Sequence, residues 1–600
     1  MIPDKWKQLA VILAVCAWFS FRGIGSVGFI DPDEGMYGSI AREMAESGDW
    51  ITARFDGVRY LNKPPLLFWL SALTLKIFGP SEWGVRLWSA LPAFGTALLI
   101  WALGSSLYGA AGGFFSVLIF SSTVGISLYS HVTLTDLLLV FSMSLAIAAA
   151  ARSACRAVFE SGSGKLRDSR AAAEPLLFYL GLALGVLSKG LAGLLMPAAI
   201  VGAFSMIKPN SGKAIYRRLI ADRYALIGAL LFFVLVTPWH VLAARNNPGF
   251  AQYYLLDNQF LRYLKGGTLI EDDVSVTTPM FLVLSLVWFL PWSALLPVVL
   301  KHTVLEINSS PASDNGRKLL PMIWAAVILL FFSLSSSKLE HYSLPALPAL
   351  SLMTGGWWAE RLRSPRPTAR RARYLAVGYL LIALVGMMLL YTGVSPNVPG
   401  LSHALSEVMG YYRAIEAQGL DFPVDIRPLV KMIAAIGLTL LVGISAAALL
   451  LTFNRVWVGF FVFLLTSAGI FLLLFHIVLL LEPYHSTKPI AEAILARSQP
   501  HDLIVHEDPL EYSGGLSFYT GRRIYIVNGK RGSLEFGSRY PEARDVFLDT
   551  ETLTKIWNGP SRIFLVTRLP PARSVVRLLP ERHVYRAGQF GARWLYTNRD

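Results

Sequence analysis

Runs of roughly 17–25 apolar residues, separated by short polar stretches, recur along most of the chain. A helix crossing the hydrocarbon core of a bilayer needs about 20 such residues, and it closes its own backbone hydrogen bonds where no water can. The pattern predicts thirteen spans, at 9–29, 84–106, 112–129, 136–154, 176–189, 190–206, 224–243, 279–300, 319–336, 341–358, 374–392, 429–452 and 456–480. Residues 66–79 (LLFWLSALTLKIFG) are also apolar but short, and Lys76 interrupts them. They read as an interfacial helix lying along the membrane.

From Glu482 the pattern changes: charge rises and the apolar runs shorten. DLIVHE (502–507), RIYIVN (523–528), RIFLVT (562–567) and RWLYTN (593–598) have strand character and alternate with helix-like stretches. The chain therefore divides into an α-helical polytopic membrane domain, 1–480, and a small α/β domain, 481–600. His501, His506, Glu507 and Asp508 show no recognised metal-ligand spacing and read as ordinary loop positions. Residues 393–428 form a further outer loop.

Composition agrees with a membrane protein. Hydrophobic residues make up 54% of the chain and charged residues 16%, with mean hydropathy +0.50, which no soluble surface could hide. The net charge of +15 would suit nucleic acid if it were clustered on a folded surface. Instead, Lys and Arg lie in loops between apolar runs, the pattern that sets membrane orientation, and nucleic acid is excluded as a partner. Membrane lipids and lipid phosphates remain.

With the N-terminus inside, the inner loops hold Arg152, Arg156, Lys165, Arg167 and Arg170, then Lys208, Lys213, Arg217 and Arg218. Arg317 and Lys318 follow, then Arg361, Arg363, Arg366, Arg370, Arg371 and Arg373. Counting 66–79 as a span would move several of these clusters outside. Thirteen spans place the C-terminal domain outside. The first span follows Lys5 and Lys7 and lacks a small-residue cleavage site, so it reads as a retained signal anchor. Cys16 falls inside the first span and Cys155 at the basic end of a later one, and no disulfide is expected between them.

The first outer loop, 30–83, holds the most polar chemistry. Asp31 before Pro32 suits an N-cap followed by Pro at the first helical position, and Glu34 sits where a capping box wants an acid. Met36, Ile40 and Met44 repeat at four-residue spacing, and Gly48 is the expected stop. Acids in a first helical turn are favoured by the macrodipole, so Asp33 and Glu34 have a structural reading beside a chemical one.

DPDEGMYGSIAREMAESGDW, followed by RYLNKPPLLFW, resembles the first periplasmic loop of GT-C-type glycosyltransferases. It is most similar to the bacterial aminoarabinose lipid A transferase family, which is related to protein O-mannosyltransferases. HVTLTDLLL (131–139), LSKGLAGLLMP (187–197), DNQFLRY (257–263) and SSKLEHYSLPALPAL (336–350) extend the resemblance over about residues 28–350. It implies an inverting enzyme that takes a sugar from a polyprenyl (undecaprenyl) phosphate carrier and passes it to a lipid or cell-envelope glycan. It also implies a bacterial inner-membrane location, transfer at the periplasmic face, and a monomer without an organic cofactor.

Such chemistry needs cations where charge grows on the leaving phosphate and an acid to orient or deprotonate the acceptor. The resemblance assigns the catalytic part to Asp33, Glu34 and Asp136, with Asp136 also a candidate ligand for a divalent metal ion. Lys63, Arg262, Tyr342 and Lys338 are the expected phosphate-binding residues, and His341, Lys189 and Tyr60 the expected substrate-binding ones. The aminoarabinose branch carries an acid before Lys-Pro-Pro, where this chain has Asn62. Transfer to protein hydroxyls is the second acceptor reading. A lipid-linked sugar transporter or flippase is the reading from another class, but the sequence shows neither inverted repeats nor mid-depth charges in its favour. A non-catalytic envelope scaffold is the last.

Overall fold

The computed structural model describes residues 5–160, 173–265, 276–309, 315–364, 378, 381, 426–530 and 532–600. The expected span at 374–392 lies outside the described residues but for two positions, as does nearly all of the outer loop at 393–428.

Helix α1 (Lys5–Phe21) is shorter than expected, because the chain turns at Gly23, whose φ of 75° is left-handed. Helix α2 (Asp33–Ser47) ends at Gly48 in the same conformation, as predicted. The hairpin β1 (Arg54–Phe55) and β2 (Val58–Arg59) follows, then α3 (Leu66–Phe78), started by Pro64-Pro65. Helix α4 (Glu82–Ser122) is two helices joined at Gly109, and α5 (Val124–Tyr129) is a short turn. Helices α6 (Asp136–Glu160), α7 (Ala173–Lys189) and α8 (Ala192–Ile207) continue the bundle.

Among the described residues, five helices are long and apolar enough to cross a membrane: α4, the Asp136–Ala154 part of α6, Arg223–Asn246, Lys431–Thr452 and Val456–His485. Thr278–Trp288 and Trp292–Ile307 would together make a sixth, bent by 103°. The bundle core is aromatic. Trp292 stacks on Phe463 at 5.1 Å and lies 5.3 Å from Phe460. Helix α4 packs tightly on Leu347–Arg363, where a Cβ on Gly355 would collide with Ser116. Such close approach is how helices hold together where lipid supplies no hydrophobic drive. Cys16 is buried and unpaired in this core, its sulfur 3.1 Å from the Ser121 hydroxyl.

The C-terminal region forms a six-stranded sheet: β3 (Leu503–Glu507), β4 (Ile524–Val527), β5 (Phe547–Leu548), β6 (Ile563–Thr567), β7 (Tyr585–Phe590) and β8 (Arg593–Thr597), in the order β5-β4-β3-β6-β8-β7. β5, β4, β3 and β6 run parallel, and β8 and β7 add antiparallel. The four expected strands are β3, β4, β6 and β8. His506 and Glu507 are not loop residues but buried positions of β3. Glu507 accepts from Thr567 Oγ1, Ser574 Oγ and Val575 N, which fixes a loop rather than a metal.

This sheet region docks on the 30–83 loop. Arg593 of β8, 1% exposed, donates to Asp31 Oδ2 at 3.2 Å and to the carbonyls of Tyr484, His485, Ser486 and Tyr512. Gly515 N donates to Asp31 Oδ1 at 2.9 Å. Asp31 is therefore not the N-cap expected of it. Pro32 holds that position without a side-chain cap, because the long-range pair claims the carboxylate.

Candidate active site

The first turn of α2 presents Asp33 and Glu34, but to different places. Glu34 is wholly buried. Its Oε1 accepts from Arg86 Nε at 2.7 Å, Thr133 N at 2.9 Å and Thr133 Oγ1 at 3.0 Å, and its Oε2 from Arg86 Nη2 at 2.7 Å and Ile30 N at 2.9 Å. Both oxygens are committed. Arg86, inside the apolar α4, meets the carbonyls of Ile24, Val27 and Gly28 with its remaining hydrogens. This network ties the loop to the bundle and leaves Glu34 nothing to offer a substrate. Asp33 lies within electrostatic reach of Tyr129, together with Asp136 and Glu340.

Asp136 begins α6 and is 3% exposed. Lys189, the last residue of α7, donates to its Oδ1, and His341 Nε2 lies 3.6 Å from its Oδ2. His341 Nδ1 is 3.6 Å from Glu340 Oε1, which also meets the Tyr129 hydroxyl at 3.5 Å. Lys189 Nζ sits 4.5 Å over the Tyr342 ring, a cation–π contact that holds the ammonium in place. Lys63 and Arg262 lie within electrostatic reach of Lys189. Four elements distant in sequence thus deliver three cations and a tyrosine to one place.

That place is a cavity of 350 Å³. Asn62, Lys63, Lys189, Arg262 and Tyr342 line its polar end; Leu191, Leu195, Leu264, Phe331 and Phe332 line an apolar flank. A π-helical segment, Gln252–Leu261, brings Asn258 and Gln259 to the wall. π-Helical turns often occur at functional sites. Gln259 Oε1 accepts from Leu191 N at 3.2 Å, which pins the turn between α7 and α8. A phosphate at the cations with its lipid tail along the flank matches both chemistries.

Of the expected residues, Asp33, Glu34, Asp136, His341, Tyr60 and Lys338 are not part of the cavity lining. Tyr60 is 1% exposed and packs edge-on against Tyr37 and Phe68, in the core beneath the cavity wall. Lys338 is buried beside Ser337, its carbonyl accepting from Val276 N at 3.0 Å. As a metal ligand Asp136 is poorly suited, since Lys189 occupies one of its oxygens. Among the described residues, the one His/Asp/Glu group with ligand atoms close enough for an ion is His302, Glu306 and Glu360, none of which lines this cavity. Sequence reasoning missed Tyr129, Asn258, Gln259 and Arg86. The lone arginine in the apolar run EWGVRLW was a signal for the last.

Residues 25–254 match the family described as dolichyl-phosphate-mannose-protein mannosyltransferase. Among curated proteins, the chain is 26% identical over 413 residues to an undecaprenyl phosphate-alpha-4-amino-4-deoxy-L-arabinose arabinosyl transferase 2 of Pseudomonas fluorescens strain Pf-5, covering 67% of this chain and 64% of that one. It is 27% identical to the protein of that name from strain Pf0-1, covering 75% and 77%. The first match thus spans just under two thirds of the relative's length. Among solved structures, ArnT from Cupriavidus metallidurans bound to undecaprenyl phosphate superposes with a TM-score of 0.76 at 23% identity, covering 99% of this chain and 98% of that one. The apo state gives 0.74 at 24% identity, with the same coverage. The fold is therefore the helical GT-C membrane-protein fold with a C-terminal sheet, and the chain is similar over 67–75% of its length to curated aminoarabinose transferases and, over residues 25–254, to the protein mannosyltransferase family.

Proposed function

We propose that the protein is an inverting glycosyltransferase that moves a sugar from undecaprenyl phosphate to a lipid or cell-envelope glycan acceptor. The observation that carries this reading is the convergence of Lys63, Lys189, Arg262 and Tyr342 on a cavity with an apolar flank. Preorganised cations stabilise the charge that grows on the carrier phosphate as the glycosidic bond breaks. The names of the relatives and the likeness to a carrier-bound ArnT support it.

In this reading Asp33 orients the acceptor. A carboxylate at a helix N-terminus is a weak base, since the dipole stabilises its charged form, and it suits an acceptor phosphate, which is already ionised. Lys189 is held between Asp136 and Tyr342 to meet the carrier phosphate, and no step is routed through a metal. The thirteen spans, the inner N-terminus, the bacterial inner membrane and the periplasmic placement of 481–600 belong to the same proposal, supported by the positions of the basic loops.

Transfer by purified protein in detergent, where there are no two sides, tests the enzyme against a flippase. Asp33→Asn and Lys63→Ala are expected to abolish transfer in a folded protein, and full activity in both would overturn the site. Chelation by EDTA is expected to leave transfer unchanged; a loss restored by one divalent ion would contradict a metal-free step.

A further inference from the structure

The end of the bundle opposite the cavity holds a second cluster of chemistry. The helix Leu347–Arg363 begins near Tyr342 and carries Glu360 in its last turn, about 20 Å further along at 1.5 Å per residue. There the helix Leu296–Ser309 packs against it and presents His302 and Glu306, four positions apart and so on one face. One imidazole nitrogen of His302 and one oxygen from each of Glu306 and Glu360 lie within 4.8 Å of one another. Side-chain exposures of 29%, 21% and 43% leave the group a path to water.

The distances decide between two ways of satisfying these groups. As an imidazolium between two carboxylates, His302 would close charge-assisted hydrogen bonds of about 2.7–2.9 Å. Its Nε2 instead stands 3.4 Å from Glu360 Oε1, and its Nδ1 stands 3.8 Å from Glu306 Oε2. Two ligands of one tetrahedral zinc ion, each bonded at about 2.0–2.2 Å, stand about 3.4 Å apart. The His302–Glu360 separation is that of a ligand pair. The carboxyls of Glu306 and Glu360 also meet each other. Ionised carboxylates repel, so that contact needs a proton or a cation between them. Lys318 answers only part of this charge: its Nζ holds Glu306 Oε1 at 2.5 Å, and Oε2 stays turned towards His302. Arg363, in the same last turn as Glu360, is turned to the Tyr108 carbonyl instead.

We propose that His302, Glu306 and Glu360 bind a divalent transition-metal ion, zinc by the character of the ligands, which joins the helices Leu296–Ser309 and Leu347–Arg363 at the end of the bundle away from the cavity. An imidazole beside two carboxylates selects zinc over magnesium and calcium, which take oxygen ligands. Lys318 acts behind the ligands and orients Glu306, as the outer partners of a ligating carboxylate do. The bound ion stabilises the folded protein by mass action. It takes no part in sugar transfer, so the site stands independently of the proposed function.

The test uses the full-length protein in detergent, without an affinity tag, stripped with EDTA and then titrated with zinc in millimolar magnesium. Equilibrium dialysis read by elemental mass spectrometry is expected to find one zinc per chain. His302→Ala and Glu360→Gln should each weaken its binding at least about tenfold, whereas Asp136→Asn should not. Zinc should raise the thermal unfolding temperature of the wild type and leave that of His302→Ala unchanged. A wild type that binds no zinc overturns the inference whether or not the variants fold, and so does binding that both variants retain. Binding lost in Asp136→Asn would place the ion beside the cavity and overturn it as well. Transfer by the stripped protein reports on the proposed function separately.

Discussion

Two neighbouring acids, Asp33 and Glu34, have opposite fates, and their variants separate the roles. Glu34→Ala strands Arg86 in the bundle, and breaking such a buried pair costs about 3–5 kcal/mol. Thermal unfolding in detergent should show it as a large drop in stability. A protein of unchanged stability but without activity would instead give Glu34 a catalytic part. In the proposed function Lys189→Ala removes a cation that meets the carrier phosphate, and losses of about 10²–10³ in kcat are usual for such a donor. Kinetics on carrier-linked sugar would detect it, and a change confined to KM would contradict the assignment. The sequence revealed Lys63, Arg262 and Tyr342 as a set through their motifs. It could not reveal that Lys189 pairs with Asp136 across the ends of two helices, since nothing local in LSKGL or LTDLL marks the partner. Tyr60 misled because its motif neighbours Asn62 and Lys63 face the cavity while its own ring fills the core.

Helices and strands were legible where the pattern was strong. The strands β3, β4, β6 and β8 came out within a residue or two of their places, being unbroken β-branched and aromatic runs. β5 is two residues long and β7 has no buried residue, so neither carries an apolar signature. The start of α2 was misjudged because local capping lost to Arg593, more than 500 residues away. A second contact between the 30–83 loop and the sheet region is pH-sensitive. At the tip of the β1–β2 hairpin, Asp56 accepts from Ile524 N with both oxygens, at 3.0 and 3.1 Å. Burial pushes its carboxyl up to about 8, opposed by the Ile524 amide and reinforced by the charge of Glu43, itself raised by burial. A carboxyl raised in the folded state binds its proton more tightly there than in the unfolded chain. Its contribution is full below the ordinary value of 3.8 and is lost as pH rises through about 8. Hydrogen exchange at Ile524 is therefore expected to quicken between pH 6 and 9, beyond the intrinsic increase, and Asp56→Asn to flatten the difference. Equal protection at both pH values in the wild type would contradict this.

At the scale of the molecule, the polar chemistry gathers at one end of the bundle and the sheet region caps that end. The break at Gly109 falls in the gap expected between the spans 84–106 and 112–129, whereas the bend in the pair at 278–307 was invisible to hydropathy, which measures length and not direction. Impermeant maleimide on intact cells checks the orientation: in a background lacking Cys16 and Cys155, a cysteine at the exposed Lys555 should be labelled and one at Lys213 protected. The reverse pattern would turn the whole reading over. The central claim is that this end of the molecule transfers a carrier-linked sugar. Mass spectrometry of lipid-linked sugars and envelope glycans in a strain deleted for the protein tests it most directly. An undecaprenyl-phosphate sugar should accumulate and one glycan or lipid modification disappear, both restored by the wild type and neither by Lys63→Ala. Unchanged donor and product pools in the deletion strain would contradict the account.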